Sequence, residues 1–135
     1  MLRVPTLRPT CSNDWNEIAA KYAPWSKGVN ETDIRAVAQA LVSTGLAKKG
    51  FVYVNLDCGY SNGYRDAQGL LVADKTKFPS GLKGMGDYLH GLGLKYGIYT
   101  SGHQCCAPKD ANDGVLGHEE ADAKQLVALG VDYVK

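Results

Sequence analysis

The chain has 135 residues, of which 44% are hydrophobic and 21% charged, the make-up of an ordinary folded domain. Its 15 basic and 14 acidic side chains leave a net charge of +1 with no cluster of Lys and Arg, so nothing supports a nucleic-acid partner or an anionic membrane surface. No apolar run approaches the roughly 18 residues that span a bilayer.

The visible N-terminus, Met1-Leu2-Arg3-Val4-Pro5-Thr6-Leu7, has a basic residue but no apolar core of signal-peptide length. Arg8 to Ser12 reads as a short strand. Asn30 reads as the N-cap of a helix, with Asp33 three residues on, and Asn30-Glu31-Thr32 also fits a glycosylation acceptor. The clearest helix covers Thr32 to Thr44. Ile34, Val37, Ala38, Leu41 and Val42 fall on one apolar stripe, and Gly45 stops it. Phe51-Val52-Tyr53-Val54-Asn55-Leu56 is β-branched and aromatic, a largely buried strand. A turn-rich loop over 57–79 follows, too long for a passive connection. Ser80 is placed to cap a second helix running through Gly91, with Leu82, Met85 and Leu89 inward. Residues 94–99 form the next strand, 100–117 a second long loop, and His118 to Leu129 a third helix. Its early Glu119, Glu120 and Asp122 suit the positive end of the helix dipole. Val131 to Lys135 reads as a last strand.

The order is β-α-β-α-β-α-β with crossovers long enough to make neighbouring strands parallel. An open doubly wound sheet and part of a (β/α)8 barrel both fit. The loops favour the barrel, because both long ones follow strands, where barrels build their active face. No glycine-rich phosphate fingerprint follows a strand; Gly84-Met85-Gly86 lies inside a helix. The fold class is therefore α/β, a partial (β/α)8 TIM barrel with roughly the first four strands and three helices. A whole barrel takes about 250 residues, so the expectation is a single unit over 1–135 that is about half of such a barrel.

In such a barrel the strand ends converge on one pocket. Asp57, Tyr99 and Lys135 follow three strands, and Asp14-Trp15 follows the first. An aromatic face beside a carboxylate, a phenol and an ammonium suits a sugar: Trp stacks on the apolar face of a pyranose, and the polar groups hydrogen-bond hydroxyls. Taken singly, Asp57 also suits a turn, Trp15 a core and Lys135 solvent. Their coincidence at one rim carries the reading.

The chain resembles the N-terminal half of an α-galactosidase barrel of glycoside hydrolase family 27. The resemblance runs in order through Ser12-Asn13-Asp14-Trp15, Asn30-Glu31-Thr32, Leu46 to Asn55, Asp57-Cys58-Gly59-Tyr60, Thr76-Lys77-Phe78-Pro79-Ser80-Gly81-Leu82, Gly93 to Tyr99, Gly117-His118-Glu119-Glu120-Ala121-Asp122-Ala123 and Gly130 to Lys135. It implies that Trp15 lines the sugar subsite, that Asp57 and Tyr99 bind galactose hydroxyls, and that Lys135 sits beside the reacting centre. Asp14, Cys58 and Tyr60 are further candidates for lining the subsite. It also implies a retaining hydrolase that cleaves terminal α-D-galactosyl residues through a covalent glycosyl-enzyme, using two carboxylates. By the same resemblance both lie beyond Lys135, so no catalytic residue is assigned within the chain, and Asp57, Glu119, Glu120 and Asp122 do not fill those roles. The full-length protein is expected to be the enzyme, and the 135-residue chain alone to be inactive. The expected partner is a small or oligosaccharide substrate with terminal galactose, with no cofactor, no nucleic acid and no membrane. Secretion is what the resemblance suggests.

Three departures bear on specificity. Cys58 stands where many members have a second Asp, Ser12 and Cys11 replace an aromatic residue and a Gly, and the acidic residue usual after the third strand is missing from Tyr99 to Cys106. Relatives acting on N-acetylgalactosamine, β-L-arabinopyranose or isomaltose-type glucans therefore stay open, as does a non-catalytic sugar-binding or half-barrel remnant. Among the cysteines, the family pattern leaves Cys105 or Cys106 without its partner, while Cys11 and Cys58 follow neighbouring strands and can pair if their Cα atoms come within about 7 Å. The spacing of His103, Cys105, Cys106 and His118 fits no standard zinc pattern, so no metal is assigned.

Overall fold

The computed structural model describes residues 30–57, 59–103 and 111–135, and the backbone of 10–13. Strand β1 is Thr10–Asn13, helix α1 Glu31–Ser43, β2 Phe51–Leu56, α2 Gly81–Gly91, β3 Lys95–Ile98, α3 Glu119–Ala128 and β4 Tyr133–Val134. A single 3-10 turn, Ala47–Lys49, leads into β2.

Helix α1 begins where its cap is satisfied. Asn30 is extended (φ −135°, ψ 162°), and its Oδ1 accepts from the Asp33 N–H at 3.0 Å. Ile34, Ala38 and Leu41 are buried, but Val37 is half-buried and Val42 is 38% exposed. The stripe is narrower than its period suggests, because Val42 stands about 100° round the helix from Leu41 and turns to solvent. Gly45 then takes φ +79°, a left-handed turn that ends the segment.

All strand pairings are parallel, and the sheet order is β1-β2-β3-β4. Each strand lies beside its predecessor; the order never reverses as it does at the switch point of a doubly wound sheet. Alternation along the strands sorts the side chains by face. Val54 pairs with Tyr96 and Leu56 with Ile98, and these four join Ile34, Leu82, Met85 and Leu89 in one buried cluster beneath the helices. Close approach here needs Gly86, since a Cβ on it would lie 2.9 Å from both the Leu129 carbonyl oxygen and the Tyr96 ring. That contact accounts for one of the four glycines in a helix that otherwise disfavours them.

One expected cap is corrected. Ser80 sits at the start of α2 but makes no capping bond. Its hydroxyl and its N–H both donate to Glu31 Oε2, at 2.8 and 2.9 Å. Glu31 also takes Arg35 Nε at 2.9 Å, so one carboxylate ties the starts of two helices. His118 stands at the start of α3 without a side-chain cap; there the Gly117 N–H donates to Glu119 Oε1 at 3.0 Å.

Candidate functional site

The ladder that ends the sheet also sets the site. The Tyr99 N–H donates to the Leu56 carbonyl at 2.8 Å, the Lys135 N–H to Ile98 at 3.0 Å, and the Thr100 N–H to the Lys135 carbonyl at 3.1 Å. These bonds hold Asp57, Tyr99 and Lys135 side by side, each one residue past its strand. Lys135 Nζ donates to Asp57 Oδ2 at 2.5 Å and lies 5.1 Å from the centroid of the Tyr99 ring. Asp57 is 4% exposed, whereas the Lys135 side chain is 42% exposed. The pair is thus anchored at its acidic end and open at its basic end. Such a group supplies a carboxylate acceptor, an ammonium donor and an aromatic wall within reach of one small polyhydroxylated ligand.

Three of the residues read from the sequence are therefore brought together. Asp14, Trp15, Cys58 and the side chain of Cys11 lie outside the described residues, as do Cys105 and Cys106, so the Cys11–Cys58 pairing does too. Tyr60 is placed differently from its candidate role: it is 1% exposed within the core cluster with Leu71 and Phe78, and its ring has no open face to offer. The loop turns it inward because the Asp74 N–H bonds the Tyr60 carbonyl at 2.8 Å and draws the two ends of the loop together.

What sequence reasoning missed is the scaffold around the loops. Arg65, in the loop after β2, is 2% exposed at its side chain, and all five of its N–H donors have acceptors. Nη1 and Nη2 grip Asp122 Oδ1 and Oδ2 at 2.6 and 2.7 Å; Nη1 also reaches the Gly69 carbonyl (2.9 Å), Nη2 that of Gly114 (2.7 Å) and Nε that of Asn112 (3.1 Å). The Asp122 hydrogen bond is the main influence raising the already high guanidinium pKa, against the opposing effect of burial. The Ser61 hydroxyl donates to Asp113 Oδ2 at 2.5 Å, and the Gln125 amide makes a two-way bond with the Leu71 backbone (2.9 and 2.7 Å). The described parts of the two long loops are thus tied to each other and to α3. Asp122 reads in sequence as a dipole-favoured helix start; only its 1% exposure shows it as a buried counter-ion. Each buried carboxylate other than Asp57 among the described residues has such a structural partner: Glu31 with Ser80 and Arg35, Asp113 with Ser61, Asp122 with Arg65.

A parallel α/β sheet with a polar cluster at the carboxyl ends of its strands is the layout of a small-molecule site in an α/β enzyme. The family model described as α-galactosidase A matches residues 11–135, and the chain belongs to this family, glycoside hydrolase family 27. It is 46% identical over 124 residues to an α-galactosidase of Oryza sativa subsp. japonica and 43% identical over 124 residues to one of Cyamopsis tetragonoloba. Each alignment covers 91% of this chain and 28% of the relative, so the chain spans little more than a quarter of their length. Among solved structures, α-galactosidase I of Mortierella vinacea superposes with a TM-score of 0.79 at 33% identity, covering 99% of this chain and 32% of that one. The α-galactosidase of Saccharomyces cerevisiae with raffinose gives 0.77 at 33% identity, over 95% and 26%.

Proposed function

We propose that these residues are the N-terminal half of the (β/α)8 catalytic domain of an α-galactosidase, and that Asp57, Tyr99, Lys135 and Trp15 grip the terminal galactose of its substrate. The observation that carries this reading is the Lys135–Asp57 pair under the Tyr99 ring at the strand ends, in a chain of this family. The strand order supports the barrel, because four successive neighbours in one parallel sheet make a barrel segment and not a doubly wound core. In the proposed role the Asp57 carboxylate accepts from sugar hydroxyls, while Lys135 neutralises it and donates toward the ring. Hydrolysis with retention requires two carboxylates about 5–5.5 Å apart. Among the described residues the other buried acids, Glu31, Asp113 and Asp122, are held by structural partners, and the resemblance to the family places the nucleophile and the acid/base outside residues 1–135.

The test compares the full-length protein with the 135-residue chain on an aryl α-galactoside. Turnover by the full-length protein, with an α-configured sugar as first product by NMR, and none by the short chain is the expected result. Turnover by the short chain would sink the claim that its carboxylates lie elsewhere. A full-length protein inert on α-galactosides but active on another glycoside would move the substrate assignment to that sugar.

A further inference from the structure

Asn55 stands two residues before Asp57 on β2 and so belongs to the same face of the sheet. Its register partners are Asn13 on β1 and Gly97 on β3, and Gly97 pairs in turn with Tyr133 on β4. This row lies one step beneath Asp57, Tyr99 and Lys135. Asn55 is 3% exposed, yet its Oδ1 has no hydrogen-bond partner among the described residues. A Cβ built on Gly97 would fall 1.7 Å from that oxygen. The carboxamide therefore lies across β3, in space that any other residue at 97 would fill. Because β1 is on the far side of β2, the oxygen is turned away from the strand of Asn13. On the same face Tyr53, one step back along β2, meets Tyr133 edge to face with centroids 6.0 Å apart.

A buried carbonyl oxygen without a donor is destabilising, and a leucine of similar volume would avoid the penalty. The amide at this place is explained by a donor held there. Same-face residues on one strand are separated by two rises of about 3.3 Å. That spacing between their Cα atoms is about the span of one water with two bonds of roughly 2.8 Å. We propose that Asn55 is a positioning residue of the sugar site: over Gly97 it holds one water, which donates one hydrogen to Asn55 Oδ1 and the other to the Asp57 carboxylate. The bridge fixes the Asp57 rotamer that receives the galactose hydroxyls, so its importance rests on the α-galactosidase reading above. Loss of the bridge weakens substrate binding more than it slows the chemical step.

The experiment uses the full-length protein and its Asn55→Leu and Asn55→Asp variants. A high-resolution crystal structure of the wild type is expected to show an ordered oxygen within about 3.2 Å of both Asn55 Oδ1 and an Asp57 oxygen. Asn55→Leu is expected to fold with an equal or higher Tm, raise KM for an aryl α-galactoside about tenfold and leave kcat within about twofold. Asn55→Asp keeps the acceptor and is expected to hold KM within about threefold of wild type. A protein side chain on Oδ1 in place of water, or an unchanged KM in the leucine variant, overturns the proposal. A water in place within a protein that hydrolyses no α-galactoside would support the bridge and overturn the function reading, so the two failures are distinct.

Discussion

On the helix-covered face of the sheet, Val54, Leu56, Tyr96 and Ile98 are at most 2% exposed and belong to one buried apolar cluster. On the opposite face the same strands carry Tyr53, Asn55, Asp57, Gly97, Tyr99, Tyr133 and Lys135: rings, an amide, a charge pair and one missing side chain. The alternation of a strand lets adjacent residues serve opposite ends. One face supplies the burial that drives folding, though it too leaves a buried oxygen, the Tyr96 hydroxyl, without a partner among the described residues; the other combines the Asn55 oxygen with a half-open lysine beside Asp57, an arrangement that does little for stability and suits ligand contact. Substitutions on the first face should therefore be read in unfolding free energy, and those on the second in KM.

The largest expected effect falls on neither face. Replacing Arg65 by Met strips the counter-ion from buried Asp122 and leaves three loop carbonyls without donors. Breaking a buried pair by removing one partner costs about 3–5 kcal/mol, measurable by urea unfolding of the full-length protein. A loss under about 1 kcal/mol would place this network with ordinary surface ion pairs and remove the third region from the comparison. Next comes the helix face. Met85→Ala empties a fully buried position and is expected to cost about 2–5 kcal/mol with KM unchanged.

The opposite face responds in its own way. Gly97→Ala forces the new methyl into Asn55 Oδ1, an overpacking expected to cost about 1–3 kcal/mol. Combining it with Asn55→Ala should recover most of that loss, and the coupling in the double-mutant cycle is the readout. Simple additivity of the two would mean that the Asn55 carboxamide does not lie over Gly97 as the 1.7 Å distance requires.

The regular elements were legible because each carries a period and a stop signal. α1 has its cap and its Ile34-Ala38-Leu41 line, and β2 its β-branched run. The described ends of these strands and helices fall within a residue or two of expectation, the last strand shrinking to Tyr133–Val134. Asp57, Tyr99 and Lys135 were legible as a set because strand ends converge in a parallel sheet. Arg65 and Asp122 were not, since their partnership joins residues 57 apart through a loop without periodicity. Tyr60 misled for a related reason: next to the acidic strand end, an aromatic residue reads equally as subsite wall or loop core, and only the closing bond to Asp74 decides between them. Asn55 read as one more residue of a buried strand, because neither its face nor its pairing with a glycine can be seen until the register is known.

The smallest effect is a pH dependence outside the site. Burial pushes the Glu31 carboxyl up, but the Ser80 N–H, the Ser80 hydroxyl and Arg35 together hold it below its ordinary 4.5. Asp132 behaves alike: burial raises it, and His90, the Tyr96 N–H and Lys95 bring it below 3.8. A carboxylate depressed in the folded state contributes stability that is complete above its unfolded pKa and is lost as pH falls through the folded value. The loss should therefore begin near the ordinary carboxylate range and deepen below it. Glu31→Gln cannot ionise, so its Tm should start lower at neutral pH and fall less steeply than wild type between about pH 6 and pH 3. Parallel curves would mean that Glu31 gains nothing from its charge in the folded state. The tie between α1 and α2 would then rest on their shared apolar cluster, on the Gln39 amide donating to the Tyr88 hydroxyl at 2.9 Å and on the Arg35 guanidinium stacked 3.9 Å over the Tyr88 ring, none of which changes charge as the pH falls to 3.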